Sequence, residues 1–112
     1  MLVGSDDVVA ELAIAGAVGW VAGYTNVFPQ ATVELFDAAV NHDLDKALPP
    51  YRDLHPLLRW DSKTEFVQAI KLSLDVVGRR GGRCRAPRVP LSAESAAAIA
   101  AATERALAQG YR

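Results

Sequence analysis

Two short apolar segments separated by one helix-length stretch constrain the fold of this chain more than any other feature. Residues 1–3 are apolar and stop at Gly4, and residues 17–22 are apolar again, with Trp20 among them. The residues between them suit a short helix that ends at Gly16. Because a helical crossover joins parallel strands, the sequence predicts a strand–helix–strand unit of a parallel sheet.

A sheet of this size is too small to be stable by itself. Parallel sheets are buried on both faces and contain several strands, whereas this sequence offers two short ones. Their free edges would be open to pairing with other chains. We therefore expect further strands upstream of this sequence or on another polypeptide.

The rest of the sequence predicts helices. Pro29 suits the first turn of a helix whose apolar face combines five residues. These are Thr32, Leu35, Phe36, Ala39 and Val40. A second helix, at residues 44–60, can be capped by Asp43 and contains three prolines, so we expect it to be kinked or split.

Two further helices have clear end signals. Ser62 and Glu65 match a capping box that opens a helix ending at Gly78, and apolar side chains on two faces of this helix predict cover on both sides. Ser92 caps an alanine-rich final helix, which ends at Gly110.

Composition and charge exclude several classes of protein. The chain is 51% apolar and 22% charged, which is typical of a globular protein, and its net charge is −1. The longest apolar run contains Glu11 and is shorter than the roughly 20 residues of a membrane helix. Cys84 is the single cysteine, and no basic segment opens the chain. We predict a cytoplasmic protein with no membrane partner.

A series of motifs, in order and at matching spacing, resembles the dihydrodipicolinate synthase / N-acetylneuraminate lyase family. Gly4 to Asp7 match the Gly-x-Asp-(Asp/Glu) signature that ends one strand in that family. About fifteen residues later the family has a glycine-rich strand followed by a loop asparagine, here Asn26. The stretch FVQAIKL at residues 66–72 and the turn RAPRVPL at residues 85–91 agree as well. The resemblance covers essentially the whole chain.

The resemblance implies an α/β fold in which this chain is the C-terminal fragment of a (β/α)₈ barrel. Residues 1–42 would be the last two βα units and residues 43–112 a three-helix C-terminal extension, so the fragment is mostly helical. A complete barrel needs about 250 residues.

The family also implies a class I aldolase-type lyase. Such an enzyme forms a Schiff base with a 2-oxo acid and carries out aldol addition or cleavage, dehydration or deamination. It needs no cofactor and forms a homo-oligomer. The implied lysine lies on earlier strands, so we expect no catalytic residue here and no activity in this chain alone.

Four residues of this chain correspond to substrate-binding positions of the family. Gly4 and Val21 match positions whose backbone approaches the substrate, at the C-terminal strand ends where such barrels hold their sites. Asp6 and Asp7 match positions that bind distal hydroxyl groups of sugar acids in some relatives. Capping of the following helix is the alternative for both aspartates; it is open for Asp6 and favoured for Asp7. We expect no metal site.

Other chemically capable residues have simpler interpretations. Lys71 stands on a helix of the extension rather than at a strand end, so we expect a surface or interface position. Cys84 is interpreted as a plain free thiol, and Trp20 and Tyr24 as packing residues. The two histidines, His42 and His55, have no ligand partner at useful spacing.

Two other functions remain as alternatives. Five arginines within residues 79–88 raise the hypothesis of nucleic-acid binding, but no stacking aromatics interleave with them and the net charge is negative. We therefore predict no nucleic-acid partner, and expect these arginines to bind carboxylates and backbone carbonyls. The helix at residues 62–77, apolar on two faces, suggests a non-catalytic helical interaction module instead.

Overall fold

Helices make up most of the computed structural model, which describes all 112 residues. The strands and helices are β1 Leu2–Val3, α1 Val9–Ile14, β2 Gly19–Trp20, α2 Pro29–Val40, α3 Leu44–Leu58, α4 Phe66–Val76 and α5 Ala93–Ala108. Three 3₁₀ turns lie at Asp6–Val8, Tyr24–Asn26 and Arg59–Ser62. None of the helices is long and apolar enough to cross a membrane.

The predicted strand–helix–strand unit is present. β1 and β2 pair in parallel, with Val3 opposite Trp20, and α1 makes the crossover between them. β2 is shorter than the predicted residues 17–22, because β1 offers only two residues to pair with. Leu2 in β1 and Val18, which directly precedes β2, are 64% and 77% exposed. The small sheet therefore has an uncovered apolar flank and two unpaired edges.

The helix α2 places its predicted apolar face in the core. Thr32, Leu35 and Ala39 are buried and Phe36 is half-buried, as expected from their helical spacing. Val40 is the exception, since it lies at the end of the helix and is 38% exposed. The helix begins at Pro29, as the sequence predicted.

The predicted split of the helix at residues 44–60 is wrong, because α3 runs without a break over Leu44–Leu58. A proline removes the hydrogen bond to the carbonyl four residues earlier. Pro49 and Pro56 are exposed, as are Asp45 and Arg52, so solvent can reach the carbonyls that lose their partners. The opposite face is anchored in the core by buried residues: Ala47, Tyr51, Leu54, Leu57 and Leu58.

The helix α4 begins later than the capping box predicted. Ser62 lies in the preceding 3₁₀ turn, and its hydroxyl donates to Asp7 Oδ1 at 2.6 Å rather than accepting from the helix. The predicted capping box is therefore wrong, because Ser62 bonds to Asp7, a residue far away in the sequence. The end of the helix is as predicted: Gly78 has a φ of +85°, a conformation that glycine adopts without strain.

The helix α5 packs against α4 through a buried polar pair. Ser73 Oγ and Thr103 Oγ1 are 2.9 Å apart, and the Thr103 hydroxyl also lies 2.8 Å from the Ile99 carbonyl. Ser92 caps α5 as predicted, accepting from Ser95 N at 3.1 Å.

One hydrophobic core joins the first and second parts of the chain. It includes Val9 and Leu35 from the first 42 residues and Leu54 and Ile99 from the rest. The C-terminus returns to this core, where the Arg112 carbonyl accepts from Ala31 N at 2.7 Å. Residues 1–42 and residues 43–112 therefore share one core.

Candidate functional site

The C-terminal ends of β1 and β2 lie side by side. Val21 N donates to the Val3 carbonyl at 2.9 Å, so Gly4 and Val21 lie at the same end of the sheet, where both strands finish. Gly4 is exposed, with no atom within 4 Å of the position that a Cβ would occupy, and Val21 is 69% exposed. The structure thus brings the two predicted strand-end residues together, and both residues are exposed.

Asp6 connects the loops that follow the two strands. Its carboxylate is fully buried and accepts three hydrogen bonds, from Trp20 Nε1 at 3.0 Å, Gly23 N at 3.2 Å and Tyr24 N at 2.7 Å. Asp6 therefore caps the 3₁₀ turn at Tyr24–Asn26, and it makes no cap bond to its own turn. The predicted capping of the helix that follows Asp6 is therefore wrong, because its carboxylate bonds to the loop after β2 instead.

The burial of Asp6 makes its carboxyl a weaker acid. Desolvation raises the pKa of this carboxyl from 3.8 to about 6, the nearby Asp61 adds to the rise, and the three donors oppose it. Asp61 is itself part-buried, and this raises its own pKa. The two residues are in contact because Asp61 Oδ2 accepts the backbone N–H of Asp6 at 3.1 Å.

Asp7 anchors the helical part of the chain to the loop after β1. Its Oδ1 accepts the Ser62 hydroxyl, and its carbonyl lies 2.6 Å from the Tyr51 hydroxyl and 3.0 Å from His55 Nε2. The Tyr51 hydroxyl also lies 2.6 Å from Glu11 Oε2. The predicted capping bond of Asp7 is wrong, because its side chain bonds to Ser62, but its place in the first turn still suits the helix dipole.

Tyr24 and Gly23 were not predicted as site residues. Tyr24 is buried, as its packing interpretation predicted, yet its hydroxyl has no hydrogen-bond partner. Burial raises the pKa of this hydroxyl above its usual range. A Cβ on Gly23 would lie 2.6 Å from Asp61 Oδ1 and 2.7 Å from Ile70 Cδ1, so a larger residue would have to displace both side chains. The sequence signal was a glycine followed by a tyrosine directly after a strand.

The three lysines of the chain lie away from the strand ends. Lys71 stands on α4 and its Nζ donates to the Arg83 carbonyl at 2.8 Å. Lys46 pairs with Asp43 at 2.9 Å, and Lys63 lies 3.8 Å from the centre of the Trp60 ring. Each ammonium group therefore has a partner on the helical part of the chain.

The arginine-rich loop contacts backbone carbonyls, as predicted for part of it. Arg79 Nη1 donates to the carbonyls of Asn26 and Val27, and Arg88 Nη1 donates to the Thr64 carbonyl at 3.2 Å. The Arg88 guanidinium also lies 4.9 Å from the centre of the Phe66 ring. No group of histidine, cysteine and acidic side chains stands close enough together to hold a metal ion.

Comparison with known proteins supports one family. The model of the dihydrodipicolinate synthetase family matches residues 1–106. A 4-hydroxy-tetrahydrodipicolinate synthase of Acidothermus cellulolyticus is 34% identical over 96 residues, which cover 86% of this chain and 31% of that protein. The corresponding protein of Methanothrix thermoacetophila is 30% identical over 99 residues, covering 88% and 34%.

Solved structures agree with these relatives. The crystal structure of dihydrodipicolinate synthase from Oceanobacillus iheyensis has a TM-score of 0.85 and 26% identity, covering 96% of this chain and 37% of that one. The chain thus spans about a third of the length of the curated relatives it matches.

Proposed function

Because this chain belongs to the dihydrodipicolinate synthetase family, we propose that it forms the C-terminal part of a class I aldolase-type lyase acting on a 2-oxo acid. Residues 1–42 would supply the last two βα units of a (β/α)₈ barrel, and residues 43–112 the helical extension. The Schiff-base lysine would stand on strands outside this sequence, so the chain by itself would be inactive.

The pair of open strand ends is the observation that carries this proposal. Gly4 and Val21 lie at one edge of a two-stranded sheet, joined by the bond from Val21 N to the Val3 carbonyl. The uncovered flank at Leu2 and Val18 is what a sheet shows when neighbouring strands are absent. Relatives three times longer could supply those strands.

The four predicted substrate-binding residues receive different roles in the proposal. Gly4 and Val21 would line the 2-oxo-acid pocket with their exposed backbone. Asp7 is half-buried and would reach the distal part of a substrate. Asp6 is fully buried with its oxygens bonded internally, so it would act as a positioning residue that holds the two strand-end loops together.

Borohydride trapping with pyruvate tests the location of the lysine. The full chain, incubated with pyruvate and sodium borohydride, is expected to show no mass increase on Lys46, Lys63 or Lys71. Mixed with the first two-thirds of the Acidothermus cellulolyticus relative, it is expected to restore an adduct on that partner. An adduct on a lysine of this chain without the partner would contradict the proposal.

A matched pair of variants tests the assembly itself. Val18→Asp places a charge on the apolar sheet flank and is expected to abolish association with the partner fragment. Val33→Asp, on the exposed side of α2, introduces the same charge where no strand is expected, and should associate normally. Both side chains are already exposed in this chain, at 77% and 54%, so neither change should unfold it. Equal association by the two variants would contradict burial of the flank.

A non-catalytic interaction module remains the second candidate. Leu72 and Val76 of α4 are only partly buried, so another subunit could cover them. This function and the lyase role share two further proposals, assembly into a homo-oligomer and a cytoplasmic location. Size-exclusion chromatography over a range of concentrations tests the first; a strictly monomeric chain would contradict it.

A further inference from the structure

A groove between α4 and the loop at residues 79–91 belongs to no site described above. It has a volume of about 510 Å³, and its walls include Lys71 and Asp75 on one side and Arg83, Cys84 and Arg88 on the other. We propose that this α4 groove binds a small organic anion, in which a carboxylate or phosphate head group is joined to an apolar body.

Three hydrogen bonds hold the loop in place against α4. Lys71 Nζ donates to the Arg83 carbonyl at 2.8 Å, Gln68 Nε2 to the Val89 carbonyl at 2.9 Å, and Gly81 N to Asp75 Oδ1 at 2.8 Å. The backbone passes so close to the helix at Gly81 that a Cβ there would overlap the Lys71 carbonyl. The groove is therefore shaped before any ligand arrives, which lowers the entropy lost on binding.

The charge of the α4 groove favours an anion. Lys71, Arg83 and Arg88 line it, and none of them forms an ion pair, since the salt bridge between Lys46 and Asp43 is the only one in the chain. Asp75 is the one acidic side chain in the lining, and its Oδ1 already accepts a hydrogen bond from Gly81 N. Guanidinium groups without a carboxylate partner are well suited to bind carboxylate or phosphate oxygens.

One residue that lines the α4 groove, Gln68, has a buried acceptor without a donor. Gln68 is buried, and while its Nε2 donates to the Val89 carbonyl, its Oε1 has no hydrogen-bond partner. Such groups are rare, because a buried polar atom without a partner is costly. Because solvent does not reach this oxygen, a ligand hydroxyl would become its donor once the Gln68 side chain turns toward the groove.

Apolar side chains complete the lining and argue for an organic ligand rather than an inorganic ion. Leu72 contributes from α4, and Val89 and Leu91 from the loop. Val89 is 67% exposed, so covering it would remove apolar surface from water. The volume is also within the range of about 300–1,000 Å³ that small-molecule sites occupy.

Protection of Cys84 measures occupancy directly, because this thiol is the only one in the chain and lines the α4 groove. The full chain is labelled with N-ethylmaleimide and the rate is followed by mass spectrometry. Mandelate, a hydroxy acid, and phenyl phosphate are the probes, and benzyl alcohol is the uncharged control. We expect at least one anion to slow labelling in a saturable manner and benzyl alcohol to leave the rate unchanged. The anion that protects Cys84 better shows whether the groove prefers a carboxylate or a phosphate head group.

Arg83→Gln and Arg85→Gln form the matched pair. Both arginines are exposed and both changes remove one positive charge, but only Arg83 lines the α4 groove. Arg83→Gln is expected to weaken protection by about fivefold, as loss of one exposed ion pair would, and Arg85→Gln to leave it unchanged. Three results would overturn the proposal: no protection by either anion, equal weakening in both variants, or labelling as fast as in the urea-unfolded chain.

Discussion

Asp61 accepts the backbone N–H of Asp6 at 3.1 Å, and this bond joins residues that are 55 positions apart in the sequence. On the other side of Asp6, its carboxylate accepts from Gly23 N and Tyr24 N in the loop after β2. The contact between the two aspartates therefore ties the helical part of the chain to both strand ends. Stability should therefore depend on the protonation of Asp6 and on the close packing around Gly23.

The stability of the chain should fall as pH rises from about 4 to about 6. Burial raises the pKa of Asp6 from 3.8 to about 6, so between these values the folded chain holds a proton that the unfolded chain has released. Asp61 shifts in the same direction. The pKa of Asp43 is lowered by its bond to Lys46, so this carboxyl titrates below the window. A shift of this size corresponds to a loss on the order of 2–3 kcal/mol.

Urea unfolding across this pH window provides the measurement. Asp6→Asn removes the titrating group and should flatten the dependence, whereas Asp37→Asn, on the exposed side of α2, should retain it. A free energy of unfolding that rises through the window, or an unchanged slope in Asp6→Asn, would show that Asp6 does not titrate near pH 6.

Gly23→Ala should destabilise the fold, because the added Cβ would lie 2.6 Å from Asp61 Oδ1 and 2.7 Å from Ile70 Cδ1. Overpacking of this kind costs about 1–3 kcal/mol. Gly4→Ala is the control, since no atom lies within 4 Å of its Cβ position, and its effect should stay within about 0.5 kcal/mol. Denaturant unfolding compares the two, and equal stabilities would contradict the close packing at Gly23.

Loss of the buried hydroxyl pair should weaken the packing of α5 on α4. Ser73→Ala leaves Thr103 Oγ1 without its partner at 2.9 Å and should lower the free energy of unfolding by about 1–2 kcal/mol. The double variant with Thr103→Val should lose less than the sum of the two single changes, because both remove the same contact. Strictly additive losses in thermal or urea unfolding would count against the hydrogen bond.

Tyr51→Phe should destabilise the chain more than Tyr111→Phe. The Tyr51 hydroxyl lies 2.6 Å from both the Asp7 carbonyl and Glu11 Oε2, and the residue is only 8% exposed. Its removal should lower the free energy of unfolding by about 1–2 kcal/mol. Tyr111 donates to Asp53 Oδ2 in an exposed contact, where water replaces the lost bond. Chemical denaturation of both variants checks the order, and a larger loss for Tyr111→Phe would reverse the interpretation.

The residues 1–42 show how much local signals can predict. The apolar runs, the glycine at position 16 and Pro29 gave the order of β1, α1, β2 and α2, because strand and helix periodicity are properties of neighbouring residues. The family and the strand-end positions Gly4 and Val21 could also be found from motifs and their spacing. The substrate-binding role of these positions stays a prediction.

Local signals failed where a distant partner competed with them. Ser62 and Glu65 satisfy every local rule of a capping box, yet Ser62 bonds to Asp7 instead. The prolines of α3 predicted a break, yet this helix is continuous and one of its faces is buried in the core. In both cases a tertiary contact outweighs a local preference of about 1–3 kcal/mol.

The amino-acid sequence by itself determined the elements of this protein, their order and its family, since these follow from periodicity and motif spacing along the chain. The tertiary structure alone decided which groups meet: the bond between Asp6 and Asp61, the raised pKa that burial produces, and the cationic groove beside α4. The physical reason is that burial and hydrogen bonding between distant residues depend on positions in space, which spacing in sequence does not encode.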